Sequence, residues 1–271
     1  MKKQPSLSAS TSCWFPLGIA SLLTLAFFPA LQAQDDLQTR PLKGAAAVFG
    51  GKPSQWAGEW VVHEKKPDSL SVSLEDEATM RIGVTAVGGE DSETSTESMS
   101  LSRALQVSEW HADSDTRLSF DLWLENPAAF LYRRATVGVI TGARPEWALS
   151  SRSGWNLFCY GAQRTVGDAT LQAGEIGLRV RTAPGGEIQT LPTGVFLTSG
   201  DKVRVTLTSA AEGESFGIQL SGGGNEFSRD GLGYWEERPF GGAEYLSIFF
   251  SAIAGKPYAL NLSGLELQKS P

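Results

Sequence analysis

Residues 117–125 read Arg-Leu-Ser-Phe-Asp-Leu-Trp-Leu-Glu and give the clearest indication of how this chain folds. Every second residue from Leu118 to Leu124 is large and apolar, and the residues between them are polar apart from Trp123. Because successive side chains of a β-strand point to opposite faces, this alternation predicts a strand with one buried and one solvated face. Strands of this kind are typical of antiparallel sheets.

The same two-residue period recurs along the chain, for example at 176–180 and 203–207, and turn residues such as Gly88-Gly89 separate the segments. Helical spacing is not found after residue 33, and 127–134 has room for only a turn or two. The pattern predicts an all-β fold, a two-sheet antiparallel β-sandwich or jelly roll of about 12 to 14 strands. The predicted strands are 59–64, 69–74, 79–85, 98–105, 117–125, 134–141, 154–161, 175–182, 187–191, 202–209, 215–221, 244–251 and 261–268.

The start of the chain has the features of a secretory signal. Two lysines precede an apolar run at 14–28, and Ala33 suits signal-peptidase cleavage. The apolar run is short for a membrane span, and an uncleaved anchor is the alternative. We therefore predict a secreted protein, periplasmic or extracellular. Its expected parts are a signal peptide at 1–33, a polar lead-in at 34–55 and a single β-sandwich domain at 56–271.

The net charge disfavours anionic binding partners, and the cysteine content excludes an intramolecular disulfide in the mature chain. The full chain has a net charge of −7, and without residues 1–33 it keeps 21 basic and 30 acidic residues. Such a balance disfavours binding to nucleic acid or to an anionic membrane. Cys159 is the only cysteine after residue 33. A disulfide within the mature chain is therefore excluded, and we expect a buried thiol that behaves as a small apolar side chain.

Catalytic and metal sites find little support in the sequence. Residues 213–217 match the G-x-S-x-G nucleophile motif, but the alternation after them predicts a hairpin strand, not the strand-to-helix turn that the motif needs. His63 and His111 are the only histidines, so a Cys/His zinc site lacks ligands, and no metal or cofactor is expected. Asp121 and Glu125 share a strand face about 13 Å apart, too far to be a glycosidase pair by themselves.

Ligand binding has better support than catalysis. Trp123 lies on the polar face of its strand between Asp121 and Glu125, an arrangement that suits a sugar, whose C–H groups stack on an aromatic ring while its hydroxyls donate to carboxylates. The alternative is that Trp123 packs under a loop or against the edge of the second sheet. Further candidate binding residues lie on polar strand faces or in a long aromatic-rich loop predicted at 222–243. They are Asn156, Tyr160, Arg179, Arg181, Tyr234 and Trp235.

The order of these features resembles the concanavalin A-like lectin and glucanase superfamily, in particular its laminin G-type jelly rolls. The resemblance covers about residues 56–268. It rests on the tryptophan-rich segment 58–62, the strand at 117–124, the hairpin at 202–221, and a last strand at 261–268 expected beside the first. It implies carbohydrate binding, adhesion or polysaccharide cleavage. The Glu-x-Asp-x-x-Glu string of the glucanases does not occur in this sequence, which disfavours hydrolysis, and a fold does not by itself supply a function.

Three hypotheses follow. The first is a non-catalytic secreted module that binds a glycan or polysaccharide. The second is a polysaccharide-active enzyme, a hydrolase or lyase, on the same sheet face; it predicts a carboxylate pair, or a tyrosine with an arginine, converging in a groove. The third is a structural envelope protein without a small ligand. Neither nucleic acid nor a membrane beyond the signal peptide is an expected partner, and the oligomeric state is left open.

Overall fold

The structure of the chain is a computed structural model. Its contacts divide the chain into two units, Met1–Asp35 and Asp36–Pro271. The predicted signal peptide and most of the lead-in lie outside the described residues. The residues that the structure describes are 38–41, 56–64, 70–76, 79–84, 96–105, 116–130, 136–142, 155–209, 215–233, 245–253 and 258–269.

These ranges are almost entirely β-strand, which confirms the predicted all-β class. A single helical turn, α1 (Pro127–Phe130), and a 3-10 turn at Leu197–Ser199 are the helical parts of the described chain. The strands are β1 (Gln38–Pro41), β2 (Trp56–Glu64), β3 (Leu70–Asp76), β4 (Thr79–Val84), β5 (Thr96–Leu105), β6 (Thr116–Leu124), β7 (Thr136–Gly142), β8 (Asn156–Tyr160), β9 (Arg164–Val166), β10 (Ala169–Leu171), β11 (Glu175–Arg181), β12 (Ile188–Phe196), β13 (Val203–Ser209), β14 (Ser215–Gly222), β15 (Asn225–Gly233), β16 (Tyr245–Ile253) and β17 (Tyr258–Lys269).

Hydrogen bonding connects fifteen of these strands in one antiparallel sheet, and β9 pairs with β10 in a separate hairpin. The sheet has two halves. The first layer runs β1-β2-β5-β16-β7-β8-β11-β12, and the second layer runs β15-β14-β13-β6-β17-β4-β3. A single residue pair, Arg181 with Gly233, joins β11 to β15. So narrow a connection allows the sheet to fold over on itself at this point.

Side-chain contacts show that the two layers face each other. Leu122 of the second layer and Val139 and Leu157 of the first line the same small apolar cavity. The rings of Phe250 on β16 and Tyr258 on β17 are 5.3 Å apart between centroids. The inward side chains of both layers belong to one buried cluster. The architecture is therefore the predicted antiparallel sandwich.

β6 lies at the centre of the second layer, between β13 and β17. Leu118 and Phe120 are fully buried, and Leu122 and Leu124 are 3% and 2% exposed. Burial of each such side chain stabilises the fold by about 1.5–3 kcal/mol. The alternation quoted above therefore sets which face of β6 points into the core, and the remaining side chains of the strand point outward.

The loop predicted at 222–243 is in part a strand, and that prediction was wrong. Asn225 pairs with Gly222 across a two-residue turn, and β15 then pairs with β14 as far as Gly233. Gly223 and Gly224 make the turn possible because both have positive φ, 58° and 78°. The strand lacks a readable apolar alternation because it lies at the edge of its layer and is mostly exposed.

The position expected for the last strand was also wrong. β17 lies between β6 and β4 in the second layer, whereas the tryptophan-rich strand β2 pairs with β1 and β5 in the first. Alternation along a strand gives its inward face but carries no information on its neighbours. β17 is interrupted between Ser263 and Glu266 by a bulge in which Gly264 has φ 58°.

We expect Tyr258→Phe to raise the free energy of unfolding by about 1 kcal/mol, because it removes a buried hydroxyl that has no hydrogen-bond partner among the described residues. Burial raises the pKa of this hydroxyl, as expected for a phenol kept neutral in the core. Tyr258→Ala should instead lower the free energy of unfolding by about 3–5 kcal/mol, since the contacts with Phe130 and Phe250 are lost. Urea denaturation measures both values. A Phe variant less stable than the parent would contradict this account of the hydroxyl.

Candidate functional site

The outward side of the second layer carries a row of polar side chains around one tryptophan. Asn261 of β17 lies opposite Trp123, and Arg81 of β4 lies opposite Asn261. Lys202 is level with Trp123 on the other side, because the next residue, Val203, pairs with Leu122. We call this surface the Trp123 face. It consists of Arg81, Asp121, Trp123, Glu125, Lys202, Arg204 and Asn261.

Glu125 is held by two partners, Asn261 on the adjacent strand β17 and Arg81 on β4 beyond it. Arg81 donates from Nε to Oε1 at 2.7 Å and from Nη2 to Oε2 at 2.9 Å, and Asn261 Nδ2 donates to Oε1 at 3.2 Å. The Arg81 hydrogen bonds in particular hold the pKa of Glu125 below its usual range, which keeps the carboxylate charged. The two side chains remain 31% and 38% exposed. This fork-to-fork pair therefore presents a fixed, accessible carboxylate.

Asp121 is paired in a similar way on the other side of Trp123. Arg204 Nη1 donates to Asp121 Oδ1 at 3.2 Å, and its Nη2 donates to Ser119 Oγ at 2.8 Å. The pair lies over the β17 bulge, where a Cβ on Gly264 would be 3.3 Å from Arg204 Nη1. Glycine at this position therefore leaves room for the ion pair close to the backbone. Asp121 is 23% exposed at its side chain and still reachable from solvent.

Trp123 itself is half-buried, and its ring contacts a cation. The Lys202 ammonium nitrogen is 4.3 Å from the ring centroid, within cation–π distance. Lys202 is exposed, so the interaction is worth only about 0.5–1 kcal/mol. The ring therefore has a face that a weakly held lysine covers.

The other candidate residues lie on the outward side of the first layer. Asn156 of β8 pairs in register with Arg179 of β11, and Tyr160 and Arg181 follow on the same face. Asn156 is 1% exposed. Arg181 Nη1 donates to the carbonyl of Gly186 at 2.6 Å. These four residues thus share one face of the first layer, and Asp121, Trp123 and Glu125 lie together on the opposite face of the sandwich.

The predicted aromatic loop residues Tyr234 and Trp235 lie outside the described residues. Tyr160 is described, and its ring is in edge contact with Phe158 at 5.5 Å and has the Arg164 guanidinium over it at 4.7 Å. Arg164 therefore covers a ring face of Tyr160. Tyr160 is level with Glu175 on β11, so Arg179 lies four residues, or about 13 Å, further along that strand from Tyr160.

The described carboxylates near these faces have structural partners. Asp121 and Glu125 pair with arginines, and Glu175, 5% exposed, accepts hydrogen bonds from the backbone nitrogens of Gln172 and Gly194 at 2.8 and 2.9 Å. In the described part of the chain, no three His, Cys, Asp or Glu side chains are grouped closely enough to hold a metal ion. Nor does any helix there have the length and apolar character to span a membrane.

Sequence reasoning missed part of the Trp123 face. Arg81, Lys202 and Asn261 were not candidates, because only long-range strand pairing brings them near Trp123. Arg204 was recognisable as a polar-face residue of β13, but its partner was not. The expectation for Cys159 is confirmed: the thiol is free and buried, and burial raises its pKa, so it is protonated and unreactive.

Comparisons with protein-family models and with curated proteins find no match. Solved structures that resemble the chain include lectin-like proteins and a glycoside hydrolase. A legume lectin-like domain from Entamoeba histolytica is 10% identical, with 75% of this chain and 89% of that chain covered and a TM-score of 0.46. The catalytic domain of a glycoside hydrolase family 131 protein from Coprinopsis cinerea is 11% identical, with 77% and 81% covered and a TM-score of 0.43.

The binding domain of botulinum neurotoxin serotype C1 is 8% identical, with 79% of this chain covered and a TM-score of 0.41. This chain spans 44% of the length of that domain. Lectin-like proteins occur among the similar structures. The fold class itself is read from the strand pairing described above.

We expect acid to destabilise the protein through His63, whose Nε2 lies 2.8 Å from Ser102 Oγ. Burial lowers the pKa of His63 below the 6.5 of a free imidazole. The unfolded chain therefore binds the proton more readily than the folded one. The free energy of unfolding is unaffected above pH 6.5 and falls as the pH drops from there to the lowered folded pKa. Urea denaturation from pH 7.5 to 5 should show a smaller decline in His63→Gln than in the parent, and equal declines would contradict this assignment.

Proposed function

We propose that this chain is a secreted, non-catalytic β-sandwich module that binds glycan through the Trp123 face. The observation that carries the proposal is a half-buried tryptophan on an open sheet face, set between two arginine–carboxylate pairs that are already fixed. Sugars are recognised by this combination. The apolar C–H side of the sugar stacks on the ring, and the charged groups form hydrogen bonds with the sugar hydroxyls.

Preorganisation of the polar groups supports the proposal. Glu125 and Asp121 are each held by hydrogen bonds from an arginine, so neither side chain has to be ordered when a ligand arrives. Ordering a flexible side chain at an interface costs about 0.5–1.5 kcal/mol, and a fixed side chain avoids that cost. A carboxylate that accepts from arginine keeps further lone pairs for sugar hydroxyls.

Asn261 adds an unused acceptor beside the ring. Its Nδ2 donates to Glu125, which orients the amide, and its Oδ1 has no hydrogen-bond partner in the described part of the chain. The residue is 2% exposed and lies opposite Trp123 in the β17–β6 register. An unpaired buried acceptor costs about 1–3 kcal/mol. A donor hydroxyl placed at the edge of the Trp123 ring would satisfy it after a small shift of the neighbouring side chains.

The non-catalytic part of the proposal is supported by the arginine partners of Asp121 and Glu125. A general acid needs a raised pKa, and the pKa of Glu125 is lowered by Arg81. The secreted part is supported by the lysine pair, apolar run and Ala33 of the N-terminal sequence. Export places the module where polysaccharides and cell-surface glycans are found.

Trp123→Ala should reduce glycan affinity by tenfold or more, since a central aromatic contact is typically worth about 2 kcal/mol. The fold should survive, because Trp123 lies outside the buried core. A glycan array with residues 34–271 identifies the ligand, and titration calorimetry then measures both proteins, with circular dichroism as the test of folding.

Gln219→Ala is the matched control, because Gln219 is exposed on the same side of the layer but lies on β14, two strands from β6. Its affinity should equal that of the parent. Equal affinities of the parent and Trp123→Ala would refute the proposed surface. Shortened saccharide products would refute the non-catalytic assignment.

A further inference from the structure

Lys202 is the cation of the Trp123 face that forms no ion pair with a carboxylate of the described residues. Arg81 is bound to Glu125 and Arg204 to Asp121, whereas the Lys202 ammonium lies 4.3 Å from the centroid of the Trp123 ring. Asp201 precedes Lys202 in the chain, but its carboxylate lies toward the β14–β15 turn, 3.7 Å from the place of a Cβ on Gly223. The Trp123 face therefore carries a net charge of +1 on a chain whose net charge is −7.

A sugar that stacks on Trp123 has to displace Lys202 from the ring. The lysine is exposed and has a flexible four-carbon stem, so the ammonium moves to the rim of the stacked sugar without leaving the site. Loss of an exposed cation–π contact alone lowers affinity by about two- to fivefold. Binding of a neutral sugar is weakened by the full factor of about two to five, because the displaced ammonium finds no new partner. A sugar with an anionic substituent instead provides one.

From this geometry we infer that the ligand is an anionic glycan, with a carboxylate or sulfate ester on or beside the sugar that stacks on Trp123. The inference rests on the proposed function of the same face. Lys202 selects the ligand, and the two arginines do not, because Arg81 already donates to both oxygens of Glu125 and Arg204 to Asp121 and Ser119. A lysine is a compact point charge that accepts either anion, since it lacks the planar fork that favours one geometry.

The test compares three probes on the same chain: an oligouronate, the same oligosaccharide after reduction of its carboxyl groups, and a sulfated form of that neutral product. The parent should bind both anionic probes more tightly than the neutral one, and added salt should reduce the difference. In Lys202→Ala the neutral probe should gain about two- to fivefold and the anionic probes should lose at least as much, so the preference disappears.

Arg117→Ala is the matched control for loss of charge. Arg117 is exposed on the outward side of β6, the strand that carries Trp123. Their separation of six residues corresponds to about 20 Å along the strand. The substitution removes one positive charge from the layer without touching the site. A loss of preference equal to that in Lys202→Ala would show that general charge, and not Lys202, selects the ligand, and would overturn the inference.

The variants also separate this inference from the proposed function. If Trp123→Ala loses all probes while Lys202→Ala keeps the parent's preference, glycan binding at the face stands and the role of Lys202 is wrong. If Trp123→Ala binds every probe as the parent does, the proposed function itself is wrong. Of the two anionic arms, the tighter one identifies the carboxylate or the sulfate ester as the recognised group.

Discussion

The placement of side chains on this protein depends on the two-residue period of β6. Its apolar residues are fully or almost fully buried between the layers, and together they stabilise the fold by about 6–12 kcal/mol. A shift of one residue in the pairing with β13 or β17 would move all of them to solvent, so the register is strongly specified. Asp121, Trp123 and Glu125 then point outward as a direct consequence.

The register of β6 positions the ion pairs of the Trp123 face, and the ion pairs in turn contribute little to stabilising that register. Asp121 lies opposite Arg204 on β13, and Glu125 reaches Arg81 two strands away, across β17. Exposed pairs of this kind typically contribute about 0–1 kcal/mol to stability. Their physical effect is positional: each arginine holds a carboxylate in one orientation. The face is consequently ordered without being important for folding.

Much of the fold was predictable because it is local. The alternation in β6, β11 and β13 gave those strands and their inward faces. β15 was not predictable, since an exposed edge strand has no apolar face to alternate. The order of strands was not predictable either, because pairing between β17 and β6 joins segments more than a hundred residues apart.

The difference between local alternation and long-range pairing also explains which parts of the candidate site were predicted. Parity along a strand correctly grouped Asn156 with Tyr160, and Asp121 with Trp123 and Glu125. It could not tell that β8 and β6 belong to different layers, so residues from two opposite faces were combined in one candidate set. For the same reason the prediction omitted three residues of the Trp123 face. Each becomes part of the face only through pairing between strands distant in sequence: Arg81, Lys202 and Asn261.

The Trp123 face combines two properties that a purely structural surface does not need together. The part of the Trp123 indole that faces water costs free energy, and a solvated sheet face is served equally well by threonine or serine at that position. The acids on either side are already satisfied by arginines, so Trp123 is not required to cover an unpaired charge. Lys202 covers the ring with an interaction that a ligand can replace at small cost. A ring kept accessible by a displaceable cation, between fixed hydrogen-bonding groups, is the arrangement that binding requires and that folding alone leaves unexplained.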